Sequence, residues 1–119
     1  MNHPQVFSQT PLFHKLYDLY KLLSCLQETI PKAQRYTLWQ KCQNINLNLL
    51  DLLLETSHKK EKERLTLLYK ISDRLDLLKI LIRLAKEIKV IHSKKYVEIE
   101  KILQESGRML GGWIKSVSH

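Results

Sequence analysis

The side chains that could bind a metal or transfer a proton are scattered along this sequence. The five histidines stand at positions 3, 14, 58, 92 and 119, and none pairs with another His, Cys or carboxylate at metal-ligand spacing near a predicted core. Glu98 and Glu100 are two residues apart and would point in different directions on a helix. Asp73 and Asp76 are three apart, but the lysines and arginines around them indicate solvated ion pairs rather than a general acid and base. We therefore predict no metal site and no cofactor.

Two further kinds of catalytic motif are missing from the sequence. No serine lies in a nucleophile-elbow pattern. Gly107, Gly111 and Gly112 fall inside a predicted helix, whereas a phosphate-binding glycine loop follows a strand. The sequence therefore predicts a protein that is not an enzyme.

Lysine and arginine are the side chains with a clear chemical role, which is to bind polyanions. The 119 residues carry a net charge of +8. Residues 1–58 hold five Lys or Arg against four Asp or Glu, a net of +1, and residues 59–119 hold fifteen against eight, a net of +7. The excess indicates either nucleic-acid binding or a solubility device on solvated helix faces, and its concentration in one half of the chain favours binding.

The basic residues in the second half of the chain form three groups. One lies at the start of the third predicted helix, one along a strip of that helix, and one at the start of the fourth. Helix N-termini with added lysines suit phosphate oxygens. Without an anionic partner, cations at a helix N-terminus are disfavoured by the helix dipole. Such binding would be electrostatic, of low sequence specificity and steeply salt-dependent. The predicted nucleic-acid-binding residues are Lys59, Lys60, Lys62, Arg64, Arg74, Lys79, Arg83, Lys86, Lys94 and Lys95.

Four helices are predicted to position these cations. The chain has 23 leucines but only three glycines and three prolines, which is typical of long helices joined by short loops. Apolar residues recur at helical spacing over about residues 11–28, 32–55, 59–89 and 94–117, and Thr10 followed by Pro11 is a favourable helix start. Short connections make sequential helices antiparallel neighbours. We therefore predict an all-α fold, an antiparallel up-down four-helix bundle that forms a single domain over residues 1–119.

Two of the predicted helices carry more apolar surface than one bundle needs. Seven of the ten residues at positions 45–54 are apolar. The main apolar stripe of the third helix runs from Leu68 to Ala85, and the second half of that helix has a second apolar stripe opposite it. A second stripe predicts a second surface that is buried, most simply against another copy of the chain. The alternative is a leucine-rich monomer with exposed apolar area. The predicted oligomer contacts include Leu47, Leu54, Leu77, Leu81 and Leu84.

The glycines of the last helix predict a close helix contact. A glycine costs about 1 kcal/mol relative to alanine inside a helix, so its repeated use there needs a reason. Gly107 and Gly111 are four residues apart and share a face, which favours close packing of a neighbouring helix, with Trp113 filling space beside it. The alternative is a hinge or a notch in which a partner docks.

The remaining sequence features concern the compartment. Cys25 and Cys42 lie in apolar helical runs without CxxC spacing, so we expect small core residues with reduced thiols. The first residues lack the apolar run of a signal peptide, and no apolar stretch is long enough to span a membrane. We therefore expect a cytoplasmic protein without a membrane partner.

Three segments resemble a known family. The run ESGRMLGGWIKS at residues 105–116 is similar to the end of the accessory variability determinant proteins of bacterial diversity-generating retroelements. RYTLWQ at residues 35–40 resembles the start of that family's second helix, except that Trp39 stands where a glycine is expected, and LIRLAKE at residues 81–87 resembles its third helix. The resemblance extends over about residues 12–115 and includes the related bundle proteins encoded in 23S ribosomal RNA intervening sequences.

This resemblance implies a ring-like homo-oligomer, a pentameric barrel of up-down bundles with a basic surface. It also implies a non-catalytic protein that binds RNA and DNA, associates with the retroelement's reverse transcriptase and supports mutagenic cDNA synthesis from the template RNA. The implied partners are therefore nucleic acid, a reverse transcriptase and further copies of this chain. The alternative is an intervening-sequence bundle with a structural or assembly role and no specific nucleic-acid partner.

Overall fold

Four long helices and one short one make up most of the protein in a computed structural model that describes residues 10–118. Helix α1 spans Pro11–Leu26 and is followed by a 3-10 turn at Gln27–Thr29. The short α2 spans Lys32–Arg35, α3 spans Leu38–Ser57, α4 spans Glu61–Glu87 and α5 spans Ser93–Val117. No β-strand occurs between residues 10 and 118, so the predicted all-α class is confirmed for this part of the chain.

Each long helix packs against two of the other three. Helix α1 contacts α3 and α5, and α4 contacts the same two helices, so the four surround one core. Helices α1 and α3 are antiparallel, because Leu23 of α1 contacts Trp39 of α3 whereas the earlier Leu16 contacts the later Asn46. Residues 58–60 and 88–92 form the two connections after α3, and segments this short make α3, α4 and α5 antiparallel in turn.

The core consists of leucine and isoleucine side chains from all four long helices. The main stripe predicted on α4 is buried at each of its six positions, from Leu68 to Ala85. Removing an aliphatic side chain of this size from water stabilises a fold by about 1.5–3 kcal/mol, so these stripes dominate the stability of the bundle. The largest wholly buried side chain is the indole of Trp39, at the position where the resemblance led us to expect glycine.

Helix α3 starts later than its sequence pattern predicts. The expected continuous helix over residues 32–55 is broken at Thr37, whose backbone angles of φ −118° and ψ −95° are not helical. The Arg35 guanidinium stabilises the turn before this break by donating hydrogen bonds to the carbonyl oxygens of Glu28 and Ile30, at 3.3 and 3.1 Å. These bonds reach back to the 3-10 turn that follows α1 and to Ile30 after it, so the break accompanies a local turn that apolar periodicity does not describe.

Helix α4 ends in a Schellman motif, which explains why it stops two residues before the predicted end at Lys89. Lys89 adopts a left-handed conformation with φ 64°, and its N–H donates to the carbonyl of Lys86 at 3.0 Å. The next N–H, of Val90, donates to the carbonyl of Ala85 at 2.7 Å. These two bonds satisfy carbonyl groups that the last helical turn leaves without partners.

An ion pair joins the first and last long helices. The Lys15 ammonium of α1 lies 2.9 Å from a carboxylate oxygen of Glu105 in α5. The hydrogen bond from Lys15 is the main reason that the pKa of Glu105 lies below its ordinary value. This contact closes the bundle on the side opposite to the α3–α4 pair.

Candidate nucleic-acid interface

Three of the predicted basic residues form a row on the side of α4 that faces α5. Lys79, Arg83 and Lys86 follow one another at steps of four and three, so they share one side of the helix. The Lys86 ammonium lies 4.9 Å from the ring centre of Tyr96 in α5. The Lys79 ammonium lies against Gly107 of α5, 2.9 Å from where a Cβ of that glycine would stand. We call these three cations the basic row.

Tyr96 connects the basic row to α5. Its hydroxyl donates a hydrogen bond of 2.5 Å to Oε2 of Glu100, one turn further along α5. This bond and the burial of the ring raise the pKa of Tyr96 above its ordinary value, and the nearby Arg83 guanidinium opposes the rise. Tyr96 is therefore neutral at physiological pH, and its ring presents a face to the Lys86 cation, a geometry that favours a cation–π contact.

The cations of the basic row are not neutralised by ion pairs. Among residues 10–118, no carboxylate oxygen lies within 4.0 Å of the charged nitrogens of Lys79, Arg83 or Lys86. Arg83 is near Glu100, but that carboxylate accepts the hydroxyl of Tyr96. The positive charge of the row therefore remains available to an anionic ligand.

The cluster at the start of α4 lies far from this row. Lys62 and Lys86 are separated by 24 residues, which is about 36 Å along a helix. Lys59 forms an ion pair of 3.9 Å with Glu63, and the Nε of Arg64 donates to the carbonyl of Lys59 at 2.9 Å. Lys60 is the N-cap residue of α4 and is exposed. These four cations therefore form a separate group at the opposite end of the bundle.

The other three predicted cations also lie outside the row. Arg74 is exposed and stands about 140° around α4 from Lys79. Lys95 forms an ion pair of 3.2 Å with Glu98 and lines a pocket with residues from the end of α1. Lys94 is exposed at the start of α5. The structure thus brings three of the ten predicted residues together along one groove.

Helix α5 contributes polar residues to this groove that sequence reasoning missed. Gln104 and Arg108 line a cleft of about 280 Å³ together with Lys79. Their spacing of four residues places them on one side of α5, as the spacing of the basic row does on α4. That spacing is a usable signal in the sequence, but it does not show which side of α5 meets α4.

The glycines of α5 do not make the close helix contact that we predicted. Gly111 and Gly112 are exposed, and a Cβ added to either would meet nothing within 4 Å. The neighbour of Gly107 is the flexible end of Lys79 rather than a helix backbone. Trp113 is half-buried and packs against the core. Within the chain, the packing explanation is therefore wrong for Gly111, and the missing side chains leave an open cleft instead.

The second apolar stripe of α4 is uncovered. Ile80, Leu84 and Ile88 are 62%, 41% and 47% exposed, and Leu77 and Leu81 beside them are half-buried. On α3, Leu47 and Leu54 are also exposed. We call the five residues on α4 the apolar stripe. It lies on the other side of α4 from the basic row, so one helix presents two chemically different surfaces.

The two cysteines differ in their surroundings. Cys42 is buried, and its burial raises the pKa of the thiol to about 12. Cys25 is exposed, so the expectation that it is a core residue is wrong. Both are free thiols.

The part of the chain from residue 10 to residue 118 has neither a metal-binding cluster nor a membrane-spanning helix. No three His, Cys, Asp or Glu side chains between residues 10 and 118 are grouped so that they could hold a metal ion. The expectations for His3 and His119 concern positions outside the described residues. No helix between Thr10 and Ser118 has the length and apolar character needed to cross a membrane.

The helices and the groove define an all-helical bundle protein with a basic row on one side of its longest helix and an apolar stripe on the other. A family model described as bAvd-like matches residues 12–117. Because the match covers nearly the whole chain, the protein belongs to the bAvd-like family, and the resemblance seen in its sequence is confirmed. A search of curated proteins finds no match.

Proposed function

We propose that this protein is a non-catalytic accessory protein that binds RNA and DNA through the basic row and associates with a retroelement reverse transcriptase. The observation that carries the proposal is the row itself. Lys79, Arg83 and Lys86 are aligned on the side of α4 that faces α5, and within residues 10–118 they have no carboxylate ion pairs. Family membership supports the accessory role in general terms.

The dimensions of the basic row suit a phosphate backbone. Lys79 and Lys86 are separated by seven residues, which is about 10 Å along the helix axis. Phosphates follow one another at about 3.4 Å per strand along a duplex, so the row extends over about three of them. A polyanion bound in this way releases counterions, and most of its affinity is independent of sequence.

Assembly of several copies would cover the apolar stripe and multiply the basic row. Three side chains of this stripe are at least two-fifths exposed, which is unfavourable for an isolated molecule in water. A closed ring buries such a surface on each copy. We therefore include a homo-oligomer, a pentamer by analogy with the family, in the proposed function. Each ring would carry several basic rows and would bind one long polyanion through many weak contacts.

A structural role without a nucleic-acid partner is the second candidate. The carboxylates of Asp76 and Glu100 lie in the same groove as the basic row and lower its positive potential. This arrangement favours a bundle of the intervening-sequence type whose charges serve solubility and assembly. Genomic context separates the two candidates, because the first requires a neighbouring reverse transcriptase gene and the second a location within a ribosomal RNA gene.

The proposed function is tested by RNA binding and by co-purification with the neighbouring reverse transcriptase. Three phosphate contacts to a single strand predict that the affinity falls about 20-fold between 50 and 200 mM salt. The reverse transcriptase should be retained on immobilised protein. RNA affinity that does not change with salt would contradict electrostatic binding, and failure to retain the polymerase would contradict the accessory role.

A further inference from the structure

A cleft between α4 and α5 continues the groove beyond Lys79. Its volume is about 280 Å³, and a second cavity of about 50 Å³ beside Arg83 and Tyr96 shares Lys79 and Gln104 with it. This size is just below the roughly 300–1,000 Å³ of typical ligand sites, so the cleft suits a small flat group rather than a large molecule.

The cleft exists because α5 lacks side chains where they would fill it. Gly111 lines the cleft, and a Cβ at this position would meet nothing within 4 Å. Gly107 also lines it and leaves room for the end of Lys79. Glycines inside a helix weaken it, and the chain does not use the space beside Gly111. The space is therefore available to a molecule other than the chain.

The lining combines three kinds of chemistry. Lys79 and Arg108 carry positive charge, and neither forms an ion pair within residues 10–118. Asp76 is an acceptor, and Gln104 is both a donor and an acceptor. The floor contains the apolar side chains of Leu75, Leu110 and Ile114. A free phosphate would gain nothing from this floor.

We propose that this cleft binds one nucleotide of a single-stranded nucleic acid, with its base on the apolar floor and its phosphate at Lys79 and Arg108. The inference rests on the proposed function and adds a site to it. A base in a duplex is stacked and paired, so only an unpaired nucleotide can place its base in the cleft. The protein therefore prefers single strands to duplexes.

Asp76 gives the cleft a preference among bases. A carboxylate accepts a hydrogen bond from the exocyclic amino group of cytosine, whereas uracil has a carbonyl oxygen at the same place. Oligo-cytidylate should therefore bind about threefold or more tightly than oligo-uridylate of the same length. The Asp76→Asn variant should lose this difference. Equal affinity of the unaltered protein for the two oligonucleotides would contradict placement of the base beside Asp76.

Two adjacent glycines provide a matched test of the cleft. Gly111→Leu fills it, whereas Gly112→Leu adds the same side chain one position further along α5, where it does not line the cleft. Both positions are open, and leucine favours the helix more than glycine does, so both variants should fold. In fluorescence anisotropy with a labelled twelve-residue oligo-cytidylate, Gly111→Leu should weaken binding about tenfold and Gly112→Leu less than about twofold. Neither should weaken binding of an RNA duplex.

The outcomes separate this inference from the proposed function. Equal loss or no loss in the two variants would overturn the nucleotide site while RNA binding by the unaltered protein still supported the proposed function. No RNA binding by the unaltered protein would overturn both. Competition by inorganic phosphate as strong as that by cytidine monophosphate would show that the site recognises phosphate alone and would overturn the placement of a base in the cleft. A change in oligomer mass for Gly111→Leu only would assign the cleft to a contact between copies and overturn the inference.

Discussion

The ammonium group of Lys86 lies 4.9 Å from the centre of the Tyr96 ring, and this contact links α4 to the first turn of α5. The hydroxyl of the same ring is bound to Glu100, and the Arg83 guanidinium is close to it. Two members of the basic row therefore contact the neighbouring helix. Cations held by such contacts lose less conformational entropy when they bind a polyanion than lysines that move freely in solvent.

The two thiols should react differently with an alkylating agent. The thiolate is the reactive form, and the pKa of Cys42 is about 12, so this residue should remain unmodified at pH 8. Cys25 is exposed and should react. Mass spectrometry after iodoacetamide treatment should show one adduct on the folded protein and two after unfolding in guanidinium chloride. Two adducts on the folded protein would mean that Cys42 is not buried as described.

Trp39 should be the most costly tryptophan to replace. Its side chain is wholly buried, and its Nε1 donates a hydrogen bond of 3.0 Å to the carbonyl of Leu23. Trp39→Ala should lower the free energy of unfolding by about 3–5 kcal/mol, because it removes a large buried side chain and leaves a cavity. Trp113→Ala is the control, since Trp113 is half-buried and should cost less. Urea unfolding followed by circular dichroism measures both, and equal losses would contradict the packing described here.

The core of the bundle could be predicted from local sequence patterns because burial repeats at helical spacing. The six residues of the main stripe on α4, from Leu68 to Ala85, all have the predicted environment. Cys25 shows the limit of such patterns, because it lies in an apolar run of α1 and nevertheless faces solvent. When apolar residues surround more of a helix than the side that faces the core, the sequence does not show which of them point into the core.

Features that depend on two helices at once could not be predicted in the same way. The break at Thr37 accompanies hydrogen bonds from Arg35 of α2 to carbonyl groups in the turn that follows α1, and apolar spacing does not predict such bonds. The basic row was visible on α4, but its partners Tyr96, Gln104 and Arg108 belong to α5 and depend on how the two helices are rotated against each other. The cleft at Gly111 follows from the same rotation, so the spacing of the glycines alone predicts close packing where the structure has an open cleft.

The apolar stripe predicts that the protein is not a monomer. Light scattering at micromolar concentration should give several times the chain mass of 14.1 kDa, because burial of Ile80 and Leu84 between copies is favourable. The double variant Ile80→Gln and Leu84→Gln leaves the net charge unchanged and should lower the mass. Val97→Gln removes an equally exposed apolar side chain from α5 and serves as the control. A mass of one chain for the unaltered protein would refute the prediction.

The most direct test of the account compares RNA affinity in two triple variants that each change the net charge from +8 to +2. The basic-row variant replaces Lys79, Arg83 and Lys86 by glutamate. The second variant replaces three exposed lysines of the other helices by glutamate, namely Lys21, Lys32 and Lys41. The basic-row variant should lose at least about tenfold in affinity, and the slope of log affinity against log salt should fall by about 2, with the helical circular dichroism signal preserved. The second variant should change affinity less than about threefold. Equal losses in the two variants would show that net charge alone binds RNA and that the basic row is not the site.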